Sequence, residues 1–235
     1  MFWYARGGET VLVKVYDSFE GVWIKCTIGS DLLFVCSVYF SPGYECDFSQ
    51  CILSLAVDCV KFRKMGKVVI LGDFNARIGN EPSTIQGQDG ICIFPRSIAD
   101  KDCSGTIART RGLELIRSMN SINFVILNGV DSGGGYTFEN KIGSSTIDFV
   151  IFSDNLIMPS NCINLDDSRD QQSSCVNVLE SIPGDSLYVP KSCTIWTDYK
   201  HRIGDHFLVS CKLALTKPTL NVPLQDVGCK LDLIR

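Results

Sequence analysis

The sequence predicts a mixed α/β fold, and three stretches carry that prediction. Residues 11–40 alternate apolar and polar positions in short runs separated by turns. Residues 47–64 carry an amphipathic stripe, and Val68-Val69-Ile70-Leu71 is an apolar run that stops at Gly72. Alternation marks a half-buried strand, recurrence every three or four residues marks a helix, and a short unbroken apolar run fits a strand buried on both faces. At 235 residues, 45% hydrophobic and 20% charged, the chain is one large domain or two small ones and long enough for a sizeable core.

Taken in order, Val11 to Tyr16 reads as a first strand, Val22 to Ile28 as a second after the Phe19-Glu20-Gly21 turn, and Leu32 to Phe40 as a third, closed by Ser41-Pro42-Gly43. Three strands joined by short turns predict an antiparallel meander. Asp47 can cap the helix that follows, with Gln50 completing a weak capping box. Phe48, Cys51, Ile52, Leu55, Ala56, Cys59, Val60 and Phe62 form its apolar stripe. Lys61, Arg63, Lys64 and Lys67 gather at its end, where they serve either a helix C-terminus or a phosphate-facing rim.

Residues 76–104, broken by Gly79, Pro82, Gly87, Gly90 and Pro95, read as loop. Thr110 to Ile122 is a short helix with Leu113, Ile116 and Met119 inward. Phe124 to Leu127 is a buried strand closed by Asn128-Gly129, and Thr146 to Phe152 is a further strand. Gly133-Gly134-Gly135 lacks the lysine and spacing of a phosphate loop and reads as a turn. Residues 154–191 carry the least pattern and read as a surface loop. Strand character returns over Ser192–Tyr199 and again just after Asp205-His206, running to about Leu215, and residues 216–235 form a tail without assignment.

Composition narrows the function. With 22 basic and 26 acidic residues the net charge is −4, which excludes a nucleic-acid binder that works by bulk positive charge but leaves a local basic rim open. The 12 cysteines include no C-x-x-C pair and follow no secretory leader, so reduced thiols in an intracellular protein, nuclear or cytoplasmic, are expected. Two histidines, His201 and His206, exclude a histidine-rich zinc site. No apolar run approaches the roughly 20 residues that span a bilayer.

Three places put polar chemistry at strand ends. Asp73 and Asn75 follow the buried strand two residues apart, so the strand period sends them out on one side, where they form a metal-water or phosphate site or an Asp/Asn turn. Asp148 is a charge embedded in the apolar run Ile147-Asp148-Phe149-Val150-Ile151 and needs a partner, unless it lies on an edge strand facing water. Asp205-His206 stands at the start of a strand in a chain otherwise poor in histidine, a candidate catalytic pair.

In this order, Gly72-Asp73-Phe74-Asn75, Ile147-Asp148-Phe149 and Gly204-Asp205-His206 resemble the signature of the endonuclease/exonuclease/phosphatase superfamily, with Val38-Tyr39-Phe40-Ser41-Pro42 matching its tyrosine-bearing strand. Asn75-Ala76-Arg77-Ile78-Gly79, Arg111-Gly112-Leu113-Glu114-Leu115, Tyr136-Thr137-Phe138 and Ser144-Ser145-Thr146-Ile147-Asp148 most resemble the endonuclease domains of non-LTR retrotransposons. The resemblance spans about residues 7–215 and implies a DNase I-like, four-layer αββα sandwich of two mixed sheets. It also implies a phosphodiesterase that uses Mg²⁺ or Mn²⁺ to cleave DNA, without a small-molecule cofactor. It assigns the attacking water to Asp73, its support to Asn75, phosphate contact to His206 and Tyr39, orientation of His206 to Asp148, and the metal to Asp205. Thr137 and Ser145 match positions lining the substrate cleft.

Three departures accompany the match. The family's opening strand-helix-strand, with an asparagine and the main metal-binding glutamate, precedes a Gly-Gly strand that here arrives at Gly7-Gly8, so an N-terminally truncated domain with weakened metal binding is expected. Gly204 stands where serine is common. The interval from Asp148 to Asp205 is longer than usual, with 154–191 as the expected insertion.

Overall fold

The structure, a computed structural model, describes residues 10–28, 31–43, 47–87, 90–100, 106–130, 134–157, 188–196, 202–203, 205–215 and 229–232. It opens with β1 (Thr10–Val15), β2 (Glu20–Ile28) and β3 (Asp31–Tyr39), followed by α1 (Phe48–Arg63) and β4 (Lys67–Asp73). Next come β5 (Ser83–Gln86), β6 (Ile91–Phe94), α2 (Ile107–Ser121), β7 (Phe124–Ile126), β8 (Phe138–Glu139) and β9 (Ser144–Ser145). The last elements are β10 (Asp148–Ser153), α3 (Asp154–Ile157), β11 (Tyr188–Trp196), β12 (Arg202–Ile203), β13 (His206–Leu215) and β14 (Cys229–Asp232).

The first sheet has six strands in the order β1-β2-β3-β4-β10-β7. The predicted meander is there, with β1–β2 and β2–β3 antiparallel. Parallel neighbours need a crossover, and α1 supplies it between β3 and β4. β10 then pairs antiparallel with β4 on one side and β7 on the other, which makes the sheet mixed.

Strand periodicity sorts the residues of this sheet onto two faces. Trp23, Phe34, Cys36, Val38, Val68, Ile70, Phe124, Ile126, Phe149 and Ile151 join α1 and α2 in one core. Their neighbours Ile24, Leu33, Val35, Val69, Leu71, Val125, Val150 and Phe152 pack on the other face with Ile85, Phe94, Leu156 and Ile157. A sheet apolar on both faces must be covered on both, which is why β4 reads as an unbroken apolar run. The second sheet follows β11-β13-β8-β9, with β12 and β14 also on β13, and its described pairings are all antiparallel.

Asp47 caps α1 as predicted, its carboxylate accepting from Gln50 N at 3.3 Å. Two of the cations at that end are spent on structure. Arg63 pairs with Asp154, and Lys67 lies 3.5 Å from Asp31. Helix α2 begins at Ile107, earlier than periodicity indicates, because Thr106 accepts from Arg109 N at 3.2 Å and starts it there.

The loop expected over 76–104 is only partly loop, for it contains the β5–β6 hairpin. Its edge is completed by side chains. Asn120 accepts from Thr84 N at 2.9 Å, and Asn123, at φ 62°, accepts from Gln86 N at 2.8 Å. Asparagine tolerates that left-handed conformation better than most residues. These partners lie 36 and 37 residues away, so no local pattern announces the strand. Of the expected loop 154–191, the ends belong to α3 and β11, and 158–187 lie outside the described residues. β14 falls in the tail that carried no assignment. Among the described residues no helix is long and apolar enough to cross a membrane.

Candidate active site

The site grows from the ends of three adjacent strands. Tyr39 is the register partner of Asp73, and Asp73 that of Asp148. By strand parity all three share the face of Leu33, Val69 and Val150, toward the second sheet. β10 is therefore a central strand between β4 and β7, and with Asp148 buried the edge-strand alternative does not hold. Both acids are buried, Asp73 at 4% and Asp148 at 6% exposure.

The two phenylalanines of Gly72-Asp73-Phe74-Asn75 and Ile147-Asp148-Phe149 point the other way. Their rings lie 5.8 Å apart, and Phe40 extends the series at 5.4 Å from Phe74. The motif thus has a polar half that builds the site and an apolar half that seats it in the core.

The second sheet supplies the partner. His206, at the start of β13, pairs with Phe138 and meets its ring edge-on at 5.1 Å. Its Nδ1 lies 3.0 and 3.2 Å from the two carboxylate oxygens of Asp148, and its Nε2 lies 3.8 Å from Asp73. A carboxylate at Nδ1 accepts a hydrogen bond from the ring N–H, which leaves Nε2 facing Asp73. Asp205 is exposed, and its backbone carbonyl accepts from Glu139 N at 2.8 Å.

Asn75 turns out of the strand. It sits at φ 45°, donates its N–H to Asp73 Oδ1 at 2.9 Å and its side-chain amide to Phe40 O at 2.8 Å. The Asp/Asn turn and the site are the same object: one oxygen of Asp73 closes the turn, and the other faces His206. The strand ends at Asp73, so period two does not carry through to Asn75. Thr137 and Ser145, matched to the substrate cleft, are both buried, at 0% and 2% exposure.

Asp73, Asp148 and His206 each offer a ligand atom within 4.8 Å of one another. Two buried carboxylates offer the oxygen donors that a hard divalent cation takes while keeping several waters. The residues present therefore fit a metal of that class. Asp205 is not in this group.

Several residues that shape the site had no role assigned from the sequence. Asn128, read as a turn, donates to Asp148 O at 3.1 Å and accepts from Val150 N at 3.0 Å. Arg111 is buried and donates to the carbonyls of Ser41 and Gly43, both at 2.8 Å, which anchors the chain leaving β3. Asp100 accepts from Thr146 N at 2.7 Å. Burial pushes its carboxyl up from the usual range, while that hydrogen bond and the charges of Arg77 and Arg109 pull it back.

Against known proteins, a family model described as endonuclease-reverse transcriptase matches residues 33–174, more than half of the chain. The chain belongs to that family. Among solved structures, this family member is similar to the endonuclease domain of TRAS1, a telomere-specific non-LTR retrotransposon. The TM-score is 0.50 at 16% identity, over 91% of this chain and 70% of that one. It is also similar to the 3'-5' exonuclease NExo from Neisseria meningitidis, at TM-score 0.43 and 15% identity, over 82% of this chain and 64% of that one. None of the curated proteins matches the sequence. The TRAS1 likeness bears out the predicted fold, a DNase I-like α/β architecture built on a large mixed sheet.

Proposed function

We propose that this endonuclease/exonuclease/phosphatase-like chain is a DNA endonuclease of retroelement origin, hydrolysing phosphodiester bonds with Mg²⁺ or Mn²⁺. The observation that carries the reading is the convergence of buried Asp73 and Asp148 and partly exposed His206 from two sheets onto one point. Breaking a phosphodiester requires a water made nucleophilic and charge stabilised on the phosphoryl oxygens.

In this reading Asp73 takes the proton of the attacking water, and the N–H of Asn75 on its other oxygen fixes the carboxylate. His206 donates from Nε2 to a phosphoryl oxygen as charge builds. With Nδ1 held by Asp148, that donation requires the imidazolium, for which the two carboxylates are the countercharge. Tyr39, in register with Asp73, meets the phosphate or leaving oxygen. Asp73 and Asp148, with Asp205 at the rim, are the groups that would hold the cation. When bound, the cation supplies Lewis-acid charge at the phosphate.

The test is cleavage of a 5′-labelled duplex by the purified chain with Mg²⁺, beside EDTA and His206→Ala. Metal-dependent cleavage that the variant loses by about 100-fold or more supports the reading. Equal residual cleavage in both proteins would leave a catalytically inactive remnant that binds nucleic acid at most.

A further inference from the structure

We propose that Thr137 and Asn128 are positioning residues, which set the Asp148–His206 pair by gripping the peptide groups of Asp148 rather than by touching substrate. The inference rests on the reading of that pair as the working acid and imidazole.

β7 pairs with β10 only at Ile151, Phe152 and Ser153, so its backbone runs out before Asp148 is reached. From there side chains replace it. The Asn128 carboxamide, which has the donor and acceptor of a peptide, gives its N–H to Asp148 O at 3.1 Å and takes Val150 N–H at 3.0 Å. Thr137 Oγ1 accepts from both Ile147 N and Asp148 N, each at 3.0 Å. Both side chains are at 0% exposure, out of reach of a DNA strand.

With its N–H and C=O both turned to these residues, Asp148 has neither left for β4. It faces Asp73 as a non-hydrogen-bonded antiparallel pair, the arrangement in which opposed side chains stand closest. The flanking bond from Phe74 N to Ile147 O at 2.9 Å agrees with that phase. Thr137 also ties to the adjoining strand through its own N–H, which reaches Ser145 O at 3.0 Å, and its successor Phe138 pairs with His206. One threonine therefore registers the carboxylate from the first sheet against the imidazole from the second.

The experiment compares Thr137→Val, which keeps the shape and removes the acceptor, with Thr137→Ser, which keeps the hydroxyl. Both are made in a His201→Gln background, so that His206 is the single histidine. At fixed pH, ¹⁵N spectra of the ring report whether the proton stays on Nδ1. Nicking assays then separate kcat from KM. Thr137→Ser should retain the wild-type ring spectrum. Thr137→Val should shift it and lower kcat by about tenfold or more with KM nearly unchanged, the size typical of residues that orient an active group.

A wild-type ring spectrum in Thr137→Val would overturn the proposal, and so would a raised KM with kcat intact, since that marks substrate contact. If Thr137→Val does not fold, Asn128→Asp tests the same claim, because it keeps the acceptor for Val150 and removes the donor to Asp148. The spectra need no turnover, so absence of nicking in the parent protein would count against the nuclease reading without touching this one.

Discussion

Gly72→Ala strikes the fold and the site together. A Cβ added at Gly72 would lie 1.9 Å from Val38 O and 2.8 Å from Val38 C. Contacts between carbon and oxygen do not close below roughly 3 Å, and a dense interior offers no slack, so β3 and β4 would have to part by about 1 Å. Overpacking of this kind costs about 1–3 kcal/mol. Stretching the neighbouring ladder bonds adds about 1 kcal/mol for each one lost. The expected total is roughly 3–5 kcal/mol, equivalent to a fall of about 10 °C in Tm for a chain of this size. Because Val38 and Gly72 immediately precede Tyr39 and Asp73, the same separation opens the row that builds the site. Urea unfolding followed by circular dichroism measures the cost. Gly143→Ala is the control, since a Cβ there meets nothing within 4 Å, and it should stay within about 0.5 kcal/mol of the parent. A Gly72→Ala protein that unfolds at the same urea concentration as Gly143→Ala would refute the packing argument.

Other perturbations test separate parts of the structure. Arg111→Lys forfeits the two-pronged grip on Ser41 O and Gly43 O and should cost about 1–3 kcal/mol in the same unfolding assay; no loss would mean that the grip contributes nothing. The Asp100 carboxyl is held above its ordinary value, so it favours the folded state fully below about pH 3.9 and loses that contribution as pH rises through its folded value. The parent should therefore gain stability relative to Asp100→Asn as pH is lowered from 7 to 4, and a constant difference in Tm would contradict this. Burial pushes the thiols of Cys36 and Cys59 up, and peptide mapping after brief alkylation at pH 8 should find half-buried Cys92 modified before either of them. Modification of Cys36 or Cys59 ahead of Cys92 would contradict the burial.

How far the sequence speaks depends on whether a signal is local. The β1–β3 meander, α1 with its Asp47 cap and the apolar run of β4 are each written in consecutive residues, and each stands in the structure within a residue or two of its expected bounds. The isolated charge of Asp148 asked for a partner, and His206 provides it across 58 residues. What stayed hidden is what other segments complete. β5 and β6 form a sheet edge that Asn120 and Asn123 finish. Asn128 looks like a turn residue, yet it continues a ladder. Thr137 resembles a cleft position by motif, and nothing in that motif announces its burial or its two accepted N–H bonds. The Asp73–Asn75 pair was legible as chemistry but not as geometry, because the strand period lapses at the residue where the turn begins.

The central claim is that Asp73, Asp148 and His206 form a hydrolytic site. Nicking of supercoiled plasmid by the purified chain tests it most directly, with Mg²⁺ or EDTA, beside Asp73→Asn and the double variant Asp205→Ala/His206→Ala. The account predicts Mg²⁺-dependent nicking by the parent, and a loss in Asp73→Asn as deep as in the double variant. Nicking that survives Asp73→Asn, or its absence above background in the parent, would contradict it.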